Sequence, residues 1–250
     1  MMIRFRFFAL LFLLASVFHS CSDNRPARKQ LASKPIVRKR AENHCAPKKS
    51  RLERQLEEAG LVDVSKLDPT ICHDLRYAGK NNFTKIILYD TLTTIYLQPD
   101  VARKLVKAQE RLKSIDPSLS LIVWDAARPL SVQRKMYRQV AGTVYQSYVA
   151  SPGRTGLHNY GCAVDLSICR AKDGNLVDMG TPFDFFGKQA GISREEKFVG
   201  QGILTKQQVE NRKLLRRVMT DAGFLTVRGE WWHFNSCRLT RAKQMYRLIP

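Results

Sequence analysis

Acidic residues are scarce in this 250-residue chain: 22 Asp and Glu stand against 42 Lys and Arg, a formal net charge of +20. Histidine is scarcer still, at five. No internal repeat is visible, which excludes a repeat architecture. No basic run is interleaved with aromatic residues, so the charge excess lacks the pattern of a nucleic-acid interface and no nucleic-acid partner is expected. One apolar run is long, Phe7 to Phe18, and it is too short to span a bilayer comfortably. What remains is a chain with 44% hydrophobic residues, long enough to bury a core in one domain or at most two.

Arg4 and Arg6 precede the apolar run, and small or polar residues ending at Cys21 follow it. A basic start, a short apolar centre and a processing region are the layout of a secretory signal, so residues 1–20 read as a signal peptide and the protein as exported. A cysteine directly after Ser20 resembles a bacterial lipoprotein signal with Cys21 as the lipid acceptor, which predicts a periplasmic or membrane-anchored protein. Residues 21–54 carry few large apolar residues, three prolines and no helical or strand period, and read as a tether. Within the first 54 positions lie 13 of the basic residues and 3 of the acidic ones. An exported tether of this kind is expected to lean on an anionic membrane or cell-wall surface, each basic residue near a membrane contributing about 1 kcal/mol.

From Gln55 to Pro250 the pattern is that of a compact α+β domain. The stretch Pro99 to Ile115 places Val101, Leu105, Ala108 and Leu112 on one helical face, and Ser118 to Ala126 then alternates Leu119, Leu121 and Val123 like a strand. After Pro129 a second amphipathic helix is predicted from near Ser131 to about Tyr148. A third opens with Thr205 and Gln208 in capping-box spacing, carries Val209, Leu215, Val218 and Met219 as a buried stripe, and stops at Gly223. Helices and strands interleave irregularly, which does not indicate a regular parallel βαβ fold.

The segment HNYGCAVD, His158 to Asp165, raises the question of chemistry. In a strand from Cys162 to Cys169, Cys162, Val164, Leu166 and Ile168 point to one face, while Ala163, Asp165, Ser167 and Cys169 point to the other. The first is a core face and the second carries the carboxylate. Gly161 permits a tight approach, so His158 can fold back toward Asp165. This geometry allows a shared ligand position, with an ordinary strand carrying a wet aspartate as the plain alternative. A catalytic zinc needs three protein ligands and an open position for water. His19 and His44 fall in the signal and tether, which leaves His73, His158 and His233. His158, Asp165 and His233 would make the set, and His73 reads as structural.

Glu230 precedes His233 by three residues with two tryptophans between. A carboxylate beside a metal ligand but not bound to the metal can take a proton from an attacking water and pass it to a departing amine. The flanking tryptophans would exclude bulk water and hold it. An isolated ExxH is more often a surface acid beside core aromatics. Cys162 and Cys169 are too far apart along one strand to bridge. A Cys72 to Cys237 bridge is possible, and spacing does not decide it.

HNYGCAVD, EWWH near the C-terminus and WDAARP upstream together resemble the D-alanyl-D-alanine dipeptidases, the VanX-like branch of the zinc D,D-peptidases. DLRYAGKNNF, DMGTPFDFF and NRKLLRRVMTDAGF match in the same order, so the resemblance covers the chain from about residue 70 onward. It implies a single domain of the zinc D,D-peptidase (hedgehog-like) type, with a central, mainly antiparallel sheet flanked by helices. It implies one zinc ion per chain on His158, Asp165 and His233, with Glu230 as catalytic acid–base and Arg128 of the DxxRP motif stabilising the transition state. Asp184 matches a carboxylate that would hold the amino end of a dipeptide, and Tyr77 and Asp125 match positions lining or supporting the pocket. Three departures bear on substrate geometry. Gly156 replaces the serine usual two residues before the first histidine, Lys85 replaces a glycine after NFT, and the stretch after FDFF lacks its usual histidine.

The expected function is hydrolysis of D-alanyl-D-alanine or a related D-containing dipeptide. The alternatives are a D,D-carboxypeptidase trimming peptidoglycan stems, which Asp184 opposes, and a non-catalytic zinc-bearing wall-binding module, which needs neither Glu230 nor Arg128.

Overall fold

The structure is a computed structural model and describes residues 49–89, 91–151 and 153–250. The signal peptide, Cys21 and the tether as far as residue 48 lie outside the described residues. The tether boundary itself moves. Helix α1 spans Arg51–Glu58, so residues 51–54 belong to the folded domain and not to the tether. A reciprocal capping box closes its start: Glu53 N–H donates to the Ser50 hydroxyl, and Ser50 N–H to the Glu53 carboxylate. The same carboxylate accepts from Thr93, which ties the helix into the domain despite its polar sequence.

A mixed five-stranded sheet forms the centre, in the order β2 (Cys72–His73), β4 (Leu119–Asp125), β5 (Ala163–Arg170), β7 (Glu230–Asn235), β6 (Leu225–Val227). Only β2 with β4 is parallel; the other pairs are antiparallel. A two-stranded antiparallel piece, β1 (Val62–Asp63) with β3 (Tyr96–Leu97), stands apart. Helices α2 (Pro99–Ile115) and α5 (Lys206–Asp221) pack against each other over one face. Leu105 and Leu112 of α2, Leu215 and Met219 of α5, and Leu121, Val123, Leu166 and Ile168 of the sheet form one buried cluster. The stripes that 3.6-residue periodicity assigns to these helices are therefore the ones buried. Shorter helices α3 (Leu130–Val140), α4 (Glu195–Gly200) and α6 (Leu239–Met245) complete the fold.

One expectation needs correction, and two open alternatives are decided. Helix α3 ends at Val140, eight residues before Tyr148, because Gly142 takes a left-handed conformation (φ 76°) and only a single 3₁₀ turn, Gln146–Tyr148, follows. The alternative of an ordinary strand with a wet aspartate fails, because Ala163, Asp165, Ser167 and Cys169 are all buried. The segment after β5 covers it, starting with Val177 N–H donating to the Ile168 carbonyl, and Phe183 packs its ring 5.0 Å from Trp124 and 5.7 Å from Trp232. Nor does the structure join Cys72 to Cys237. Both are free thiols, on β2 and just past β7, with β4 and β5 between.

Arg212 of α5 is fully buried and holds both ends of that covering segment. Its guanidinium donates to the carbonyls of Met179 (2.6 Å) and Gln189 (2.9 Å), to the Thr181 hydroxyl (3.3 Å) and to Glu195 (3.5 Å). Glu195 keeps a second partner, Arg216 at 2.7 Å, so removing Arg212 would orphan mainly the carbonyls. Arg212→Met is expected to lower stability by about 3 kcal/mol, measurable as a reduced midpoint in guanidinium chloride with an unchanged slope.

Candidate active site

The site grows out of two irregularities in the sheet. Along β4, Val123 pairs with Leu166 but Asp125 pairs with Asp165, so Trp124 is an extra residue, a β-bulge. Without it, Asp125 would continue the Leu121–Val123 row and point at the helices. With it, Asp125 joins the face of Asp165. On β7, His233 lies directly opposite Asp165, while the pairing with β6 jumps from Thr226–Phe234 to Val227–Glu230. In a straight strand, residues three apart face opposite sides. The jump swings the chain so that Glu230 and His233 reach one cavity, with Glu230 Oε2 3.9 Å from His233 Nδ1.

His158 comes from a 3₁₀ turn, Leu157–Tyr160, that ends on Gly161 with φ 65°. A Cβ on Gly161 would stand 2.8 Å from Leu61 Cδ2 and 3.3 Å from the Gln98 nitrogen, so glycine is required both for its dihedral and for space. The reversal brings His158 back over Asp165, as its spacing predicts. His158 Nδ1 donates to the Ala126 carbonyl at 2.6 Å, which leaves Nε2 facing Asp165 Oδ2 at 3.4 Å and His233 Nδ1 at 3.3 Å. His233 Nε2 engages Asn235 Oδ1 at 2.8 Å, which leaves Nδ1 2.9 Å from Asp165 Oδ1. All three ligand atoms lie within 4.8 Å of one another. Two imidazoles, each anchored through the nitrogen that points away, plus one carboxylate make a donor set suited to a divalent metal with an open position.

The electrostatics agree. Burial raises the Asp165 carboxyl, but His158 and His233 overcome it and hold the group far below the usual carboxylate range. Burial lowers His233, yet the Asp165 hydrogen bond and charge win and push it up to about 9. Burial raises Glu230, opposed by the histidines and Arg128. Arg128 donates to Asp125 Oδ2 through Nε (2.9 Å) and to Gln133 Oε1 through Nη1 (2.9 Å), and its Nη2 lies 3.8 Å from Asp165. Burial lowers the Arg128 pKa, and Asp125, Tyr77, Tyr89 and Asp165 together more than reverse this, so the guanidinium stays charged.

Asp184 lines the same cavity in a left-handed backbone conformation (φ 57°), strained for a non-glycine residue. Tyr77 donates to it at 3.0 Å, and burial, with Asp165 nearby, pushes its pKa well up. The cavity is about 210 Å³ and is also lined by Gly156, Trp232 and Phe186. A second cavity, about 890 Å³, is lined by residues 181–187 and includes none of the three metal-type ligands.

Asp125 is not on the cavity wall. It is fully buried behind Arg128, accepting from it and from the Tyr89 hydroxyl at 2.6 Å, so it supports and does not line. The tryptophans divide: Trp232 lines the cavity, while the Trp231 indole donates to Thr181 at 2.8 Å. His73 stands apart, bonded to the Thr93 carbonyl at 3.0 Å.

The model of the D-ala-D-ala dipeptidase family matches residues 57–248. The chain belongs to that family. Among relatives, it is 29% identical over 174 residues to the D-alanyl-D-alanine dipeptidase of Escherichia coli (strain K12), covering 70% of this chain and 83% of that protein. It is 28% identical over 196 residues to the dipeptidase of Enterococcus faecalis (strain ATCC 700802 / V583), covering 71% and 91%. To that of Enterococcus faecium the figures are 27% over 193 residues, again 71% and 91%.

Sequence reasoning missed Gln133, Asn235 and Tyr89, which position the dipeptidase-family residues without reacting. Asn235 had one readable signal, its spacing two residues beyond His233 on the same strand face. Lys85, at a position read as glycine in the family, holds φ 60°, which shows why glycine suits it. Asn235→Ala frees His233 Nε2 and is expected to weaken metal binding about 10- to 100-fold with the fold intact, by calorimetric titration of the metal-stripped protein with zinc.

Proposed function

We propose that the protein is a zinc-dependent dipeptidase that hydrolyses D-alanyl-D-alanine to D-alanine. The observation that carries the reading is one cavity of about 210 Å³ in which His158, Asp165 and His233 converge beside Glu230 and Arg128. Its volume suits a dipeptide better than a long stem, falling below the ~300–1,000 Å³ of drug-sized sites. The relatives' name supplies the substrate class. When bound to His158, Asp165 and His233, zinc supplies Lewis acidity that brings the pKa of water down to about 7.

The chain's own residues do the rest. Glu230, its pKa raised by burial, takes a proton at its carboxylate and returns it to the departing amine, worth about 10²- to 10⁴-fold. Arg128 cannot swing away, because Asp125 and Gln133 hold it, so its guanidinium meets negative charge developing on the carbonyl oxygen. A single donor of this kind contributes about 10²- to 10³-fold. Asp184, backed by the Tyr77 hydroxyl, receives the free ammonium of the substrate in place of the proton that burial favours. An acid at that end disfavours a blocked stem peptide, and a pure binding module would need neither Glu230 nor Arg128. The basic, signal-like N-terminal region supports export and anchoring at an anionic membrane or wall surface.

Full-length protein loaded with zinc should release D-alanine from free D-Ala-D-Ala and not from an N-blocked peptide with the same ending. Glu230→Ala should cut kcat at least 100-fold while the protein keeps its zinc by elemental analysis. Preference for the blocked peptide would move the assignment to a carboxypeptidase, and zinc binding with no turnover to a wall-binding module.

Gly156 has φ −107°, and a Cβ there meets nothing within 4 Å, so a serine fits without strain. Gly156→Ser puts a hydroxyl into the cavity, where one extra hydrogen bond of about 1 kcal/mol should lower KM about fivefold at constant stability. Unchanged kinetics would show that the hydroxyl does not reach the dipeptide.

A further inference from the structure

The two strands that carry the metal-type ligands are also flanked by a pair of neighbouring thiols. Cys162 leads into β5, and Cys237 follows β7. Ala163 lies opposite Asn235, and Ser236 N–H donates to the Cys162 carbonyl at 2.8 Å, so Cys237 is the diagonal neighbour of Cys162. One interstrand spacing of about 5 Å with one residue rise of about 3.4 Å gives a Cα separation of roughly 6 Å. That is inside the span of a disulfide, about 4.4–6.8 Å. In a straight strand Cys237 would face away, but the chain bends at Ser236 and Cys237. Cys237 accordingly packs against the core cluster that contains Cys162. Cys72 and Cys169, the other two free thiols among the described residues, are different, because β4 lies between their strands. Two interstrand spacings, about 10 Å, exceed what a disulfide bridges without backbone movement.

We propose that Cys162 and Cys237 form a disulfide in oxidising surroundings, joining the strand of Asp165 to the strand of Glu230 and His233. Cys162 is fully buried and Cys237 is half-buried, so an external disulfide meets Cys237 first. The Cys237 thiolate attacks it and releases one thiol, and Cys162 then displaces the second. The two protein sulfurs lose two electrons, the external disulfide gains them, and the two S–H protons leave on the released thiols. The bond stands whatever the substrate of the enzyme.

The test equilibrates the full-length protein with oxidised glutathione, alkylates remaining thiols and maps unreduced peptides by mass spectrometry. The expected result is a peptide pair joining Cys162 to Cys237, with a Tm about 5–15 °C above that of the phosphine-reduced protein, from a closed loop of about 75 residues. Cys237→Ser should remove both the pair and the Tm difference while circular dichroism reports a native fold. Alkylation of both Cys162 and Cys237 after oxidation, or recovery of Cys237 bridged to another cysteine, would overturn the proposal.

Discussion

Asp125 and Asp165 lie directly opposite each other on adjacent strands in the interior of the sheet, and most of the site can be read as the answer to that pairing. Two like charges at such spacing, cut off from water, are tolerable only with positive partners in hydrogen-bond contact. Arg128 reaches both, with Asp125 in its grip and Asp165 3.8 Å away. His158 and His233 hold Asp165 from the other side. The backbone keeps this arrangement in register: Arg128 N–H donates to the His158 carbonyl at 2.9 Å, and the Asn159 side chain to the Arg128 carbonyl at 2.8 Å. The guanidinium is thus a charge partner of the folded state as well as a group lining the cavity.

Reactive geometry appears where the sheet stops being regular. The bulge at Trp124 turns Asp125 to the ligand face, and the register jump on β7 brings Glu230 round to His233. Asp184 sits on a left-handed backbone and Gly161 on another. A regular five-stranded sheet with the same residues would place Glu230 and His233 on opposite faces. The strain is affordable because α2 and α5 bury a continuous apolar layer behind the same strands.

How much of this the sequence discloses depends on the range of the interaction. Periodicity over 17 and 16 residues finds α2 and α5 with their buried stripes, because an amphipathic pattern is local. The ligand set is legible from three remaining histidines and one resemblance spread along the chain. Helix α1 is hidden by its polar composition although Ser50 and Glu53 spell a capping box, and α3 is overrun because nothing before Gly142 announces a stop. The burial of the Asp165 face is illegible locally, since its cover comes from a loop that Arg212 anchors from far along the chain.

That anchoring sets the order in which the site becomes competent. A nascent chain extended only through β5 already carries Arg128, His158 and Asp165, and the segment bearing Asp184 follows directly. Its two ends are gathered only when Arg212 of α5 arrives, and Glu230 and His233 come later still. The Asp184 wall of the cavity and the wall of Glu230 and His233 are therefore both completed by the last quarter of the polypeptide. Until then the growing chain has the beginnings of a metal site and no peptidase.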